Sequence, residues 1–254
     1  MIEEEKYPSQ TIDLPSRGWY YLESSPLSKG QLDLKYMTAK EENILSSQNL
    51  IEKGVVYDRL LESLITTEGV NYNDLLIGDK NGIMIAARIL GYGPEYSLGE
   101  LTCRCGAKEE VVVDLRKLEF KEVDFKDENK GRNEFEFELP ITKQKIIFKL
   151  LTHLDEQEIN SEVTGLKKMD RTGIDPELTV RLQHSILSVN GDSKKDIIRK
   201  FVDNLLARDS LAFRDRVKSL NPDIDMNYEH ICTVCKEGRR LMVPITLNFF
   251  WPDK

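Results

Sequence analysis

The sequence has no apolar run approaching the roughly 20 residues that a membrane-spanning helix needs. Its opening residues, Met1-Ile2-Glu3-Glu4-Glu5-Lys6, are acidic where a secretory leader is basic and then apolar, so export by that route is not expected. Positive charge is also short: 36 Lys+Arg against 44 Asp+Glu give a net charge of −8. That balance speaks against a polybasic membrane anchor and against a surface that neutralises phosphates along its whole length. There is no G-x-x-x-x-G-K phosphate loop and no G-x-S-x-G nucleophile elbow. Gly91-x-Gly93 is not a dinucleotide fingerprint, because it closes a helical pattern instead of opening one and Pro94 follows it. The three histidines, His153, His184 and His230, are scattered. No solenoid repeat and no low-complexity tract is visible. Together these gaps leave no enzymatic constellation, and the expectation is a soluble, non-enzymatic binding or assembly protein.

What is present is ample for a core. Apolar residues make up 40% and charged residues 31% of 254 positions, so one large or two modest domains with a heavily charged surface are expected. Thr11-Ile12-Asp13-Leu14-Pro15 reads as a short extended segment, and the period-two alternation of Gln31 to Tyr36 predicts a strand. Thr38 and Glu41 have the spacing of a capping box, ahead of a helix carrying Ile44, Leu45 and Ile51 on one face. Leu60, Leu61, Leu64 and Ile65 mark a second helix. A third carries Ile83, Ala87 and Leu90, with Asp79 as its predicted cap and Gly91 to Pro94 as its stop. Glu110–Leu115, the Phe135/Phe137 alternation and Lys145–Leu151 predict strands, with 124–132 a loop.

From about 155 to 220 the pattern is helical. Ile159, Val163 and Leu166 share a face. Leu178, Leu182, Ile186 and Val189 share another after Pro176, and Asn190-Gly191-Asp192 ends that helix and caps the next. Ile197, Phe201 and Leu205 line one further helix, and Phe213, Val217 and Leu220 the last, which Asn221-Pro222 stops. Tyr228–Ile231 and Leu241–Phe250 return to strand character. The predicted class is α+β: a helical N-terminal lobe with two short strands over 1–98, then a zinc-ribbon-like β region over 99–254 carrying the helical insertion.

The four cysteines form two close pairs, Cys103-Arg104-Cys105-Gly106 and Cys232-Thr233-Val234-Cys235, with Gly238 behind the second. In a reducing compartment such pairs are thiolates before they are disulfides. Zn2+ takes soft thiolates in a closed tetrahedron, and each pair on a tight turn supplies two corners. A glycine just after a pair allows a positive φ there. The expected structural zinc ligands are therefore Cys103, Cys105, Cys232 and Cys235, on two hairpin tips, pinning the middle of the chain to its end. The C-x-C spacing is one residue shorter than the usual knuckle. Two other readings stand beside this one. Cys232-x-x-Cys235 has the spacing of a redox pair, though it lacks the βαβ setting and helix start that lower a thiol pKa, and all four could be inert thiols. His230 is a substitute ligand only if one thiolate is missing.

Other polar groups have plainer readings. Ile77-Gly78-Asp79-Lys80 reads as a turn and cap, and the paired acids Glu41-Glu42 and Glu109-Glu110 as solvated surface. Residues 194–218 hold eight Lys/Arg against four Asp/Glu. They read as the solvent face of amphipathic helices, or else as a contact for phosphates or an acidic partner. Arg104, Lys108, Lys236, Arg239 and Arg240 surround the cysteine tips. No aromatic platform lies beside them, so nucleic acid is an unlikely partner, and a zinc-ribbon nucleic-acid binder is the alternative reading.

Four stretches carry a resemblance. They are Ile12-Asp13-Leu14-Pro15-Ser16-Arg17-Gly18, Met37-Thr38-Ala39-Lys40-Glu41-Glu42, Leu75-Leu76-Ile77-Gly78-Asp79 running to Arg88-Ile89-Leu90-Gly91-Tyr92-Gly93, and Phe249-Phe250-Trp251-Pro252. With the paired cysteines, the chain resembles the baseplate protein family of T-even-type contractile-tailed phages, which includes hub and hub-assembly proteins. The resemblance implies a part or assembly factor of the tail baseplate that acts by contact with other baseplate or tail proteins. It implies no catalytic residue. It places the protein in the host cytoplasm during assembly and in the virion tail baseplate if it stays. The aromatic end then reads either as a partner anchor or as a closure of the protein's own core.

Overall fold

A computed structural model describes residues 8–169, 173–245 and 247–250. Strand β1 (Ser9–Asp13) pairs antiparallel with β2 (Gln31–Lys35), with Ile12 opposite Leu32. The alternation of β2 buries Leu32 and Leu34 against the core. Helix α1 (Ala39–Leu45) opens with the expected capping box: Thr38 accepts from Lys40 N–H, and the Glu41 carboxylate accepts from Thr38 N–H at 2.9 Å. Glu41 is fully buried and paired with Lys35 at 2.9 Å, so it is no surface acid. Ser46 and Ser47 interrupt the expected single helix, and Leu50 and Ile51 ride on a separate short α2 (Gln48–Glu52). Helix α3 (Val56–Leu64) buries Val56, Leu60, Leu61 and Leu64.

Helix α4 (Ile77–Tyr92) runs through the core with Ile83, Met84, Ile85 and Ala87 buried. Its cap is Leu76, with no side-chain cap bond, so the predicted Asp79 cap is wrong. The Asp79 carboxylate turns away from its helix. It accepts from Ser16 N–H at 2.8 Å and from the Tyr21 hydroxyl at 2.6 Å, and that hydroxyl accepts from Leu76 N–H at 2.9 Å. The loop it holds turns through positive φ at Arg17 (52°), where an L side chain is strained, and at Gly18 (74°), where it is not. Arg88, also buried, donates to the carbonyls of Phe249, Gly93 and Glu95, tying α4 to the chain's far end.

Gly93 closes α4 at φ 84°. Strand β3 (Glu95–Thr102) then pairs antiparallel with β4 (Lys108–Asp114), with a register shift between Ser97 and Glu100. The sequence carries no strand signal for β3, because Gly99, at φ 78°, breaks its alternation. β5 (Phe135–Glu138), β6 (Lys145–Phe148) and β7 (Ile186–Val189) form an antiparallel sheet in that order. Of helices α5 (His153–Met169), α6 (Glu177–Ser185), α7 (Lys195–Asp203) and α8 (Ala207–Leu220), α6 and α7 pack on β7, Phe213 of α8 packs edge-on against Phe148 of β6, and α5 packs on α6. Ile186 and Val189, expected on a helix, belong to β7: α6 stops at Ser185 and the β-branched end pairs with β6. Asp192 accepts from Lys194 N–H within a turn and does not cap α7, whose cap is Lys194.

The chain ends with the hairpin β8 (Asn227–Ile231) and β9 (Gly238–Met242). The predicted strand to Phe250 stops at Met242, and residues 247–250 form a 3-10 turn. Phe249 and Phe250 are fully buried and edge-on to each other at 5.3 Å, with Phe249 against Tyr96 at 5.2 Å and Phe250 against Tyr57 at 5.6 Å. They close the core; Trp251 and Pro252 lie outside the described residues. The main core is continuous from Leu14 through Leu60, Ile83, Val113, Phe148 and Phe213 to Phe250. Ile159, Val163 and Val180 form a satellite between α5 and α6. The fold is α+β, as expected.

Candidate metal centre

The two antiparallel hairpins that carry the cysteines meet at their tips. In the β3–β4 hairpin, Cys103 N–H donates to Ala107 O at 2.8 Å and Gly106 N–H to Cys103 O at 2.9 Å. Gly106 takes φ 88°, the left-handed turn expected of it. In the β8–β9 hairpin, Cys232 N–H donates to Glu237 O and Lys236 N–H to Cys232 O, both at 3.0 Å. Here the positive φ falls on Lys236 (62°), immediately after the second cysteine, and not on Gly238. In both turns the residue following the second cysteine reverses the chain, which brings both sulfurs to the same side.

The four Sγ atoms all lie within 4.8 Å of one another. Two contacts run between the hairpins: Cys103 to Cys235 at 3.6 Å and Cys105 to Cys232 at 3.9 Å. A tetrahedron with Zn–S bonds of about 2.3 Å has sulfurs about 3.8 Å apart, and a disulfide would need about 2.05 Å. The spacing thus fits a tetrahedral ion of zinc's size, and all four cysteines are free thiols. The donor chemistry agrees. The Glu237 amide favours the Cys235 thiolate, but the Cys232 sulfur, desolvation and then the sulfurs of Cys105 and Cys103 outweigh it and push the thiol up to about 12. Four thiolates share this space only if a cation sits among them.

Polar groups join the tips around the sulfurs. The Glu109 carboxylate, on β4, accepts from Thr233 N–H at 2.8 Å and from the Thr233 hydroxyl, and lies 3.1 Å from His230 Nε2. Those bonds hold Glu109 down to about 2, the Thr233 hydroxyl contributing most. Glu109 was expected at the solvated surface, and its side chain is only 13% exposed. Nothing in the sequence brings it beside Thr233, because the pairing depends on two hairpins remote in sequence. His230 is engaged with Glu109, beside a complete set of sulfurs. Arg104 pairs with Glu237 at 3.4 Å, Lys108 with Glu100 at 3.0 Å and Arg240 with Asp225 at 2.9 Å. Arg239 donates to Thr102 O at 3.4 Å. Most of the tip's positive charge is therefore already matched.

The remaining histidines lie away from the sulfurs. His184 Nε2 lies 3.0 Å from Glu162, between α6 and α5. Asp155 and Glu158 are near it, but the Asp155 carboxylate is taken by Lys149 at 2.6 Å and by Thr152 at 2.9 Å. His153 is buried against Tyr72, with Nδ1 3.3 Å from Lys80 Nζ. In 194–218 the acid Asp209 is buried and accepts from Ile141 N–H and Thr142 N–H, while Lys195 and Arg199 are exposed on α7. Among the described residues no helix is long and apolar enough to cross a membrane.

No curated protein and no solved structure matches this chain. A family model described as T4 bacteriophage base plate protein matches residues 20–251, and the chain therefore belongs to that baseplate family.

Proposed function

We propose that the protein is a non-enzymatic component or assembly factor of the phage baseplate hub, acting through contacts with other baseplate or tail proteins and stabilised by a structural zinc on Cys103, Cys105, Cys232 and Cys235. Membership of the baseplate family over 20–251 supports the setting, and the four-sulfur cluster supports the metal. Zinc supplies a rigid tetrahedral cross-link with no redox chemistry of its own. Here it would join the β3–β4 hairpin to the β8–β9 hairpin. The aromatic pair Phe249-Phe250 is consumed by the core, so partner contacts fall to the outer surface. There the hairpin pair exposes Val112, Ile231, Val234 and Met242. Assembly from soluble subunits in the host cytoplasm fits the net charge of −8. Binding of nucleic acid is disfavoured, because Arg104, Lys108 and Arg240 already face carboxylates.

Two measurements test this. Quantitative mass spectrometry of mature particles and infected-cell lysate should find the chain at a fixed ratio to tail proteins, or in lysate together with hub precursors. Finding no tail partner in either sample refutes the assignment. Elemental analysis of the purified protein should give one zinc per chain, lost on Cys103→Ser or Cys235→Ser. Purification without zinc, and with no uptake of added Zn2+, refutes the metal.

A further inference from the structure

Two carboxylates reach between the cysteine hairpins, and they differ in shelter. Glu237 meets Arg104 at 3.4 Å with side chains 50% and 86% exposed, where solvent and salt screen the pair to little effect. Glu109 meets His230 at 3.1 Å with side chains 13% and 21% exposed. Its Oε1 also takes both the backbone N–H and the hydroxyl of Thr233, the residue that follows Cys232. Its Oε2 faces His230, two residues before Cys232. One carboxylate on β4 therefore grips the opposite cysteine turn on both sides of its buried ligand. Cys232 is 1% exposed, the most buried of the four.

We propose that Glu109 is the positioning residue of the four-cysteine centre, holding the Cys232–Cys235 turn at tetrahedral spacing from Cys103 and Cys105 while itself binding no metal. The inference rests on the metal reading above. Groups that orient metal ligands through hydrogen bonds tune affinity without altering the ligand set. A hydrogen bond to a backbone N–H inside a chelating turn fixes the turn. The His230 contact fixes the strand that delivers it.

The test uses the full chain, loaded with Zn2+ or with Co2+ as a spectroscopic stand-in. Glu109→Ala should weaken Zn2+ binding by about 10–100-fold, the range for lost outer-sphere partners, and speed zinc release to a chromophoric chelator. Its Co2+ complex should keep the thiolate charge-transfer bands of a four-sulfur site, because no ligand is lost. Glu109→Gln, whose amide oxygen still accepts from Thr233, should recover part of the affinity and serves if the alanine variant does not fold. Glu237→Gln, at the exposed crossing, should stay within about twofold of wild type. Wild-type affinity and release rates in both Glu109 variants overturn the positioning role while leaving the zinc site intact. A wild-type chain that takes up neither Zn2+ nor Co2+ overturns the metal reading itself, and the positioning role with it.

Discussion

Asp79→Ala removes the carboxylate that supports the Ser16 loop, and its cost follows from what is left behind. Ser16 N–H and the Tyr21 hydroxyl both donate to Asp79, at 2.8 and 2.6 Å, and Ser16 and Asp79 are fully buried. Each buried donor without a partner costs about 1–3 kcal/mol. The substitution also removes a buried negative charge, which offsets part of that loss. The net expectation is a loss of about 2–4 kcal/mol, or a fall in Tm of roughly 5–15 °C for a chain of this size. Asp79→Asn keeps an oxygen for Ser16 but turns a donor toward Tyr21, so about half the loss is expected. pH separates the charge from the bonds. Burial raises the Asp79 pKa, and the bonds from Ser16 and Tyr21 offset this only in part. The unfolded carboxyl ionises near pH about 3.9 and the folded one later, so wild type loses stability relative to Asp79→Asn as pH rises from there through the folded pKa. Chemical denaturation of the three proteins from pH 4 to 8 reads all of this. An alanine variant within about 0.5 kcal/mol of wild type refutes the support role, and a wild-type-to-Asn difference that stays flat with pH refutes the buried charge.

Other perturbations have equally definite outcomes. His153 is buried, and burial followed by the nearby Lys80 charge lowers its pKa. The fold therefore favours neutral imidazole: its contribution is complete above the unfolded pKa of about 6.5 and is lost as pH falls toward the folded value, at up to about 1.4 kcal/mol per pH unit. Denaturation midpoints of wild type and His153→Gln between pH 7.5 and 5 should diverge in that sense, and parallel curves refute it. A Cβ at Gly78 would lie 1.6 Å from the Pro222 carbonyl oxygen, so Gly78→Ala should cost more than about 3 kcal/mol, since backbone must move. Gly165 in α5 has nothing within 4 Å of its Cβ position, and Gly165→Ala should stabilise by about 0.5–1 kcal/mol; equal Tm changes for the two would contradict the packing.

The sequence showed features whose cause is local. The Thr38–Glu41 capping box, the Gly93 stop and the positive φ of Gly106 each depend on a few neighbouring residues, and each appears where expected. The gathering of the cysteines was legible in their close pairing: two pairs on tight turns come together, with all four sulfurs within 4.8 Å of one another. Failures came where a distant segment decides. Asp79 has the composition of a cap, but the Ser16 loop with its left-handed Arg17 and Gly18 claims the carboxylate. Ile186 and Val189 continue a helical period, but β6 offers them a ladder, and β-branched residues are at home there. Glu109 has the look of one of many surface acids until the second hairpin arrives beside it. The aromatic end was read equally well as anchor or as core. For Phe249 and Phe250 the placement of Tyr96 and Tyr57 decides for the core.

The position of the cysteine tips relative to that core determines what metal loss should do. The hairpin roots are fixed independently of the sulfurs: the Tyr96 ring packs at a tilt against Phe249, Val113 and Val243 are buried, and Val243 N–H donates to Met226 O at 2.8 Å. At the tips Cys232 alone of the four cysteines is buried, while Cys105, Val234 and Cys235 are exposed. A two-stranded ribbon is marginal by itself in water. Cross-links at such ends add local stability and leave the global barrier to the core. Chelation, or Cys235→Ser, is thus expected to expose the turn amides of Cys103, Gly106, Cys232 and Lys236 to hydrogen exchange, while the amides of α4 and β6 keep their protection. Unchanged exchange at the tips would refute a structural ion there. Exchange throughout α4 and β6 would mean that the metal holds the core as well, which the packing of Tyr96 and Phe249 does not require.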